Sequence, residues 1–119
     1  MAKRVNSRAK GARGEREAAK VIAAVLGLNA RRGQQFSGGP ESPDVITDAN
    51  DIHFEIKRVE KLNIVNAVKQ AVKDAGESRT PVVLHRRNNC EWLLTIRLAD
   101  VRSLIVKLFK YLDLEKNES

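Results

Sequence analysis

The fold of this chain is decided by residues 52–57, which read IHFEIK and alternate strictly between apolar and polar. Side chains on a β-strand point to opposite faces in turn, so the three apolar side chains share one face. His53, Glu55 and Lys57 share the other face. The stretch therefore predicts a strand with an apolar face in the core and with a carboxylate and an ammonium close together on the opposite face.

The segments on either side of this strand predict one α/β domain. The loop at 33–43 contains Gly33, Gly38, Gly39 and Pro40, which are strong turn and loop residues. Apolar periodicity predicts helices at 12–26, 62–75 and 101–112, the first ending at Gly27 and the last capped by Asp100. Strands are predicted at 44–47, 52–59, 81–84 and 92–96. The order αββαββα predicts a central mixed sheet flanked by helices.

Length and composition limit the class of protein. The 119 residues fit a single domain at 11–119, preceded by a basic flexible arm at 1–10. No apolar run approaches the roughly 18–20 residues that cross a bilayer, and the N-terminus lacks the apolar stretch of a signal peptide. We therefore expect a cytoplasmic protein without a membrane partner. The single cysteine, Cys90, excludes an internal disulfide framework and a multi-cysteine zinc site.

The net positive charge of the chain lies entirely in its first third. Residues 1–35 hold nine cations and two anions, a net charge of +7, whereas residues 36–119 hold 13 of each sign. A local basic surface suits the phosphates of a nucleic acid, and the alternative is a basic solubilising tail. The candidate DNA-binding residues are Arg4, Arg8, Lys10, Arg13, Arg16, Arg31 and Arg32.

Glu55 and Lys57 have two interpretations. They are either a surface ion pair on a solvated strand edge or part of a functional site. Asp44 follows Pro43 and begins the preceding strand, so a short hairpin between the two strands is expected to bring its carboxylate beside Glu55.

Glu15 is a third carboxylate in an unusual position. It shares the predicted buried stripe of the first helix with Ala18, Ala19 and Ile22. A carboxylate facing the core is costly unless it is paired or bound to a cation. The alternative is an anion of the first helical turn that complements the helix dipole.

Three converging carboxylates and one ammonium suit metal-dependent phosphodiester chemistry. Mg²⁺ takes oxygen ligands and bridges carboxylates to substrate phosphate. Bound between Asp44 and Glu55, it would polarise a phosphodiester and acidify a water molecule. The Lys57 ammonium would orient that water and offset the charge that builds on phosphorus.

These residues resemble the PD-(D/E)xK nuclease superfamily, whose signature is matched by Pro43-Asp44, ten intervening residues and Glu55-Ile56-Lys57. The closer likeness is to archaeal-type Holliday-junction resolvases and their phage-encoded relatives. Members of that family carry a basic segment with a Lys-Gly pair and a Glu-Arg pair on the first helix, matched by Lys10-Gly11 and Glu15-Arg16. A Ser-Gly loop before the Pro-Asp strand is matched by Ser37-Gly38.

The resemblance extends in motif order over about residues 8–97 and implies a restriction-endonuclease-like fold. It implies that Mg²⁺, or Mn²⁺ as the alternative ion, is surrounded by the carboxylates of Glu15, Asp44 and Glu55. The backbone carbonyl of Ile56 would be a further ligand, and Lys57 would be the catalytic lysine. Ser37 would assist cleavage, although Ser-Gly-Gly is also an ordinary loop sequence.

The resemblance also implies the reaction and the partners. The expected protein is a homodimeric endodeoxyribonuclease that nicks opposed strands of a four-way DNA junction and leaves 5′-phosphate and 3′-hydroxyl ends. One alternative is a nuclease of the same superfamily that acts on other branched or duplex DNA. Another is a non-catalytic basic nucleic-acid-binding module.

Overall fold

The computed structural model of the protein describes residues 7–33 and 45–112, with side chains from residue 13 onward. No helix in these two ranges has both the length and the apolar character needed to cross a bilayer. The elements are α1 (Ser7–Val21), a π-helical turn (Ile22–Leu26), β1 (Ala30–Arg32), β2 (Val45–Thr47), β3 (Ile52–Arg58), α2 (Ile64–Ala75), β4 (Thr80–Arg86), β5 (Leu93–Thr95), a 3₁₀ turn (Leu98–Asp100) and α3 (Val101–Tyr111).

The central sheet is mixed and has three strands in the order β3-β4-β5. β3 and β4 run parallel, from the pair Ile52 and Thr80 to the pair Arg58 and Arg86, and β5 runs antiparallel to β4. Parallel neighbours need a crossover connection, which α2 supplies. The chain is thus an α/β protein with three helices and a mixed sheet, as its sequence predicted.

Both faces of β3 are covered, whereas the sequence predicted burial of one face. Its apolar side chains pack with α1, β4 and α3 in one core cluster, which includes Ile22, Phe54 and Leu104. A second cluster lies under α2 and includes Ala67, Ala71 and Val83. The residues from Ile52 to Ile56 are consequently all buried, the polar His53 and Glu55 among them.

The expected hairpin between the strands at 44–47 and 52–59 is wrong. β2 pairs instead with β1, a strand that was not predicted, and Val45 lies opposite Arg32. The Asn29 backbone N–H and side-chain amide donate to the Asp48 carboxylate at 3.1 and 3.2 Å. This contact holds β1 and β2 together at one end. The apolar pattern of a strand of three residues is too short to indicate its pairing partner.

α1 begins at Ser7, five residues before its predicted start, so its first residues belong to the segment expected to be a flexible arm. Ala18, Ala19 and Ile22 are buried as predicted, but Val25 is 75% exposed. The helix widens into a π-helical turn from Ile22, and the extra residue per turn rotates Val25 away from the core. Gly27 ends the helix with a φ of +73°, as predicted.

The apolar periodicity of α2 predicts a buried stripe of Leu62, Val65, Val68, Val72 and Ala75, and among these residues only Ala75 is fully buried. Ala67, Ala71 and Ala75 face the sheet, whereas Val65 is 59% exposed. Alanines four residues apart let the helix backbone approach the strands closely, and the larger side chains lie at the edges of that contact.

α3 begins where predicted, but its first turn is held differently. Asp100 occupies the cap position without a capping hydrogen bond. Its carboxylate instead accepts hydrogen bonds from Arg97 at 2.7 and 3.2 Å.

Candidate functional site

The candidate site lies where β3 faces α2. Strand alternation directs the odd-numbered side chains of β3 to this side, and the His53 and Glu55 residues are 5% and 3% exposed. Lys57, near the end of the strand, is partly exposed. Burial of Glu55 excludes the interpretation of a solvated strand edge for this carboxylate.

The Glu55 carboxylate has a basic neighbour on each oxygen. His53 Nε2 lies 2.9 Å from Glu55 Oε1, and Lys57 Nζ lies 3.7 Å from Glu55 Oε2. The Lys57 ammonium also donates to Gln70 Oε1 at 3.1 Å, which anchors it to α2. The structure therefore brings together the two residues of the Glu-x-Lys motif, and it adds His53 and Gln70 around them.

Asp74 is a site residue that the sequence interpretation missed. It projects from α2, and one of its carboxylate oxygens lies within 4.8 Å of a Glu55 carboxylate oxygen and of a His53 ring nitrogen. Gln70 and Asp74 are four residues apart and therefore lie on one side of the helix, beside the buried Ala71. The sequence could have indicated Asp74 only if Ala67, Ala71 and Ala75 had been recognised as the buried face of α2, because Asp74 lies beside that face. The predicted buried stripe instead contained Val65, Val68 and Val72.

The two acids ionise unequally. Burial opposes ionisation of Glu55, but the hydrogen bond and charge of His53, together with Lys57, outweigh it and lower the pKa of the Glu55 carboxyl. Burial, together with the neighbouring Glu55 carboxylate, raises the pKa of Asp74. Glu55 is thus the stronger acid of the two, and Asp74 is the first to take up a proton as the pH falls.

The donor set of this site suits a divalent cation. His53, Glu55 and Asp74 each offer one ligand atom, and the three atoms lie within 4.8 Å of one another. Carboxylates and imidazole are both common ligands of first-row divalent ions. We refer to these three residues as the His53–Glu55–Asp74 cluster.

Glu15 lies apart from this cluster. Its side chain is 14% exposed, and its Oε1 accepts a hydrogen bond from Arg32 Nε at 2.9 Å. It is the ninth residue of α1, so it is not an anion of the first helical turn. α1 packs on the apolar face of β3, as the approach of Gly14 to Arg58 illustrates, whereas Glu55 faces α2.

The remaining predicted site residues are placed as follows. Asp44 and Ser37 lie outside the described residues. The Ile56 side chain is buried in the core on the α1 side of the sheet, while its backbone stands between Glu55 and Lys57 in β3.

The predicted DNA-binding residues divide into exposed and paired cations. Arg13, Arg16 and Arg31 are exposed, whereas Arg32 is partly buried against Glu15. Arg8 and Lys10 lie in α1 within the range described by backbone alone, and Arg4 lies outside the described residues. The exposed residues of this predicted set therefore lie in α1 and β1.

No protein-family model, curated protein or solved structure matches this chain. The likeness to the nuclease superfamily accordingly rests on its motif residues and on no wider similarity.

Proposed function

We propose that this protein is a metal-dependent endodeoxyribonuclease of the restriction-endonuclease-like fold, acting on four-way DNA junctions. One observation carries the proposal. The Glu55 carboxylate is buried on a central strand, and the Lys57 ammonium, two residues along the same face, lies 3.7 Å from it. A buried carboxylate kept ionised beside a partly exposed ammonium is suited to bind a cation and to meet a substrate phosphate.

The chain's residues have distinct roles in this proposal. Glu55 would hold Mg²⁺, together with Asp44 and the Ile56 carbonyl, and Ser37 would assist cleavage. When bound, the ion supplies Lewis acidity toward the phosphodiester and toward its own water. Lys57 stabilises negative charge on the scissile phosphate, and its hydrogen bond to Gln70 holds the ammonium in place before DNA arrives.

The exposed cations suit the proposed substrate. Arg13, Arg16 and Arg31 offer charge to a DNA backbone without having to break the Glu15–Arg32 pair. A four-way junction has two equivalent strands to cut, so its symmetry suits two equal sites in a homodimer. Paired nicks from such a dimer leave 5′-phosphate and 3′-hydroxyl ends.

A non-catalytic nucleic-acid-binding module is the second candidate. The pairing of Glu15 with Arg32 favours it, because it leaves Glu15 outside the cluster around Glu55. Such a module is expected to bind DNA in a salt-dependent way and to have no activity that requires a divalent ion.

Cleavage of a synthetic four-way junction, with and without Mg²⁺, tests the proposal. We expect paired symmetric nicks with Mg²⁺, and weaker cleavage of linear duplex and flap controls. Asp44→Asn is expected to abolish cleavage while leaving junction binding intact, and Asp100→Asn serves as its matched control. Activity mainly on linear duplex would refute junction selectivity, and full activity in Asp44→Asn would refute the metal site.

Lys57→Ala tests the observation that carries the proposal. We expect turnover to fall by about 100-fold or more, because a group that stabilises transition-state charge is lost. Junction affinity should change little in comparison. Lys69→Ala, an exposed lysine on the same α2 helix as Gln70, is the control and should cleave as the wild type does. Equal turnover in the two variants would contradict a role for Lys57.

A further inference from the structure

We infer that His53, Glu55 and Asp74 bind a divalent first-row transition-metal ion, and that this site favours Mn²⁺ over Mg²⁺. This ligand set contains an imidazole and an acid from α2, neither of which belongs to the set implied by the motif resemblance. The inference rests on the proposed function for the role of the ion in cleavage, but not for its binding.

Geometry is the first support. The three ligand atoms lie within 4.8 Å of one another, and donors bonded to one ion at about 2.1 Å are separated by roughly 3–4.2 Å. Small rotations of the side chains therefore complete the site. Two ligands stand on β3 and the third on α2, so regular elements and not loops fix their positions.

The state of His53 is the second support. The residue is 5% exposed, and its Nδ1 has no hydrogen-bond partner among the described residues. Its ring points into the cluster, where Nε2 meets Glu55 Oε1 at 2.9 Å. The contact with Glu55 orients the buried ring so that Nε2 stands beside a carboxylate of the cluster, where a neutral imidazole protonated at Nδ1 can use Nε2 as a metal ligand.

Charge is the third support. A carboxylate oxygen of Glu55 and one of Asp74 lie within 4.8 Å of each other, and the Lys57 ammonium lies 3.7 Å from Glu55. Two carboxylates at such a distance repel each other unless a proton or a cation lies between them. A doubly charged ion compensates both acids at once, whereas the single ammonium is shared with Gln70.

The chemistry of the donors selects the ion. Mg²⁺ prefers oxygen ligands only, while first-row transition-metal ions also accept imidazole, with Mn²⁺ at the weak end of that series and equally suited to carboxylates. One imidazole with two carboxylates therefore favours Mn²⁺ over Mg²⁺ at equal concentration.

Binding of Mn²⁺ to the metal-free full-length chain, measured without DNA by the loss of the free-ion EPR signal, tests this inference. We expect one Mn²⁺ per chain, and little displacement by an equal concentration of Mg²⁺. Asp74→Asn should weaken binding by at least about tenfold. Asp100→Asn, whose carboxylate is already bound by Arg97, is the matched control and should bind as the wild type does. Circular dichroism checks that the variants are folded.

The outcomes separate this inference from the proposed function. Absence of saturable Mn²⁺ binding by the wild type, or equal affinity in Asp74→Asn and Asp100→Asn, overturns the site. Displacement of Mn²⁺ by equimolar Mg²⁺ overturns its selectivity. If Asp74→Asn weakens Mn²⁺ binding but the wild type cleaves no DNA, the metal site is supported and the nuclease is refuted. If the wild type cleaves DNA with Mg²⁺ but Asp74→Asn binds Mn²⁺ as the wild type does, the nuclease is supported and this metal site is refuted.

Discussion

At the residue scale, Glu55 shows how a buried acid remains ionised beside another acid. Burial opposes its charge, and His53 and Lys57 restore it, so the pKa of Glu55 falls below its usual value. Asp74 receives no comparable compensation, and burial together with the Glu55 carboxylate raises the pKa of Asp74. One acid of the pair is thus stabilised at the expense of the other.

This asymmetry predicts that Asp74→Asn raises the free energy of unfolding of the metal-free chain at neutral pH. The folded-state pKa of Asp74 lies above the ordinary value of 3.8. The contribution of Asp74 to the free energy of unfolding therefore falls as the pH rises from 3.8 through the raised pKa. Asparagine donates an N–H to Glu55 without a titrating proton. The extra stability of Asp74→Asn over the wild type should therefore be complete above the raised pKa of Asp74 and vanish below pH 3.8.

Urea unfolding of both proteins over a series of pH values measures this difference. Glu55 is present in both chains, and its lowered pKa makes stability fall as pH drops through that value, a loss that largely cancels in the comparison. Glu77→Gln, at an exposed position, is the control. A variant that is less stable than the wild type at neutral pH would contradict the prediction.

At the element scale, α2 is the helix that completes the site. Its alanines at 67, 71 and 75 bring the backbone close to β4, and this approach places Gln70 and Asp74 against the polar side of β3. A helix with valines on this face would stand farther from the sheet. Close packing of α2 and the composition of the site therefore depend on the same small side chains.

Ala71→Leu is accordingly expected to destabilise the protein by about 1–3 kcal/mol, because the added atoms overpack a contact in which Ala71 is fully buried against Val83. Val65→Ala should change stability by less than about 0.5 kcal/mol, since Val65 is largely exposed. Urea denaturation measures both. A larger loss of stability in Val65→Ala than in Ala71→Leu would contradict burial of the alanine face and would favour the stripe that the sequence predicted.

At the scale of the whole molecule, the surface charge is unevenly placed. The first 35 residues carry the entire net charge, and the rest of the chain is balanced. The two arginines of β1 point in opposite directions, so Arg31 is exposed while Arg32 is bound to Glu15. One arginine is thus available to a polyanion and the other stabilises the fold.

Arg31→Ala is expected to weaken DNA binding and to reduce the slope of log affinity against log salt concentration by about 1, with stability unchanged. Arg32→Ala should instead lower the free energy of unfolding by about 1 kcal/mol, because it leaves the Glu15 carboxylate without this partner. Fluorescence anisotropy at several salt concentrations and urea denaturation distinguish the two. If both substitutions had the same effects on DNA binding and on stability, the assignment of Arg31 to DNA binding and of Arg32 to stability would be wrong.

The sequence by itself determined the α/β class, the alternation of β3, the stop at Gly27 and the pairing of Glu55 with Lys57 on one face. These features depend on neighbours within a few residues, where the periods of strands and helices fix the direction of each side chain. The separation of charge between the two parts of the chain was equally available, because it is a property of composition.

Only the tertiary structure decided that β2 pairs with β1, that Glu15 binds Arg32 and that Asp74 approaches Glu55. Each of these contacts joins residues 13 or more positions apart, and their proximity follows from how helices pack on the two faces of the sheet. α1 and α2 lie on opposite faces of the sheet. Glu15 on α1 and Glu55, which faces α2, were both predicted to belong to one site, but the sheet separates them. Local patterns specify which side of an element is buried, but the packing of elements decides which buried side chains meet.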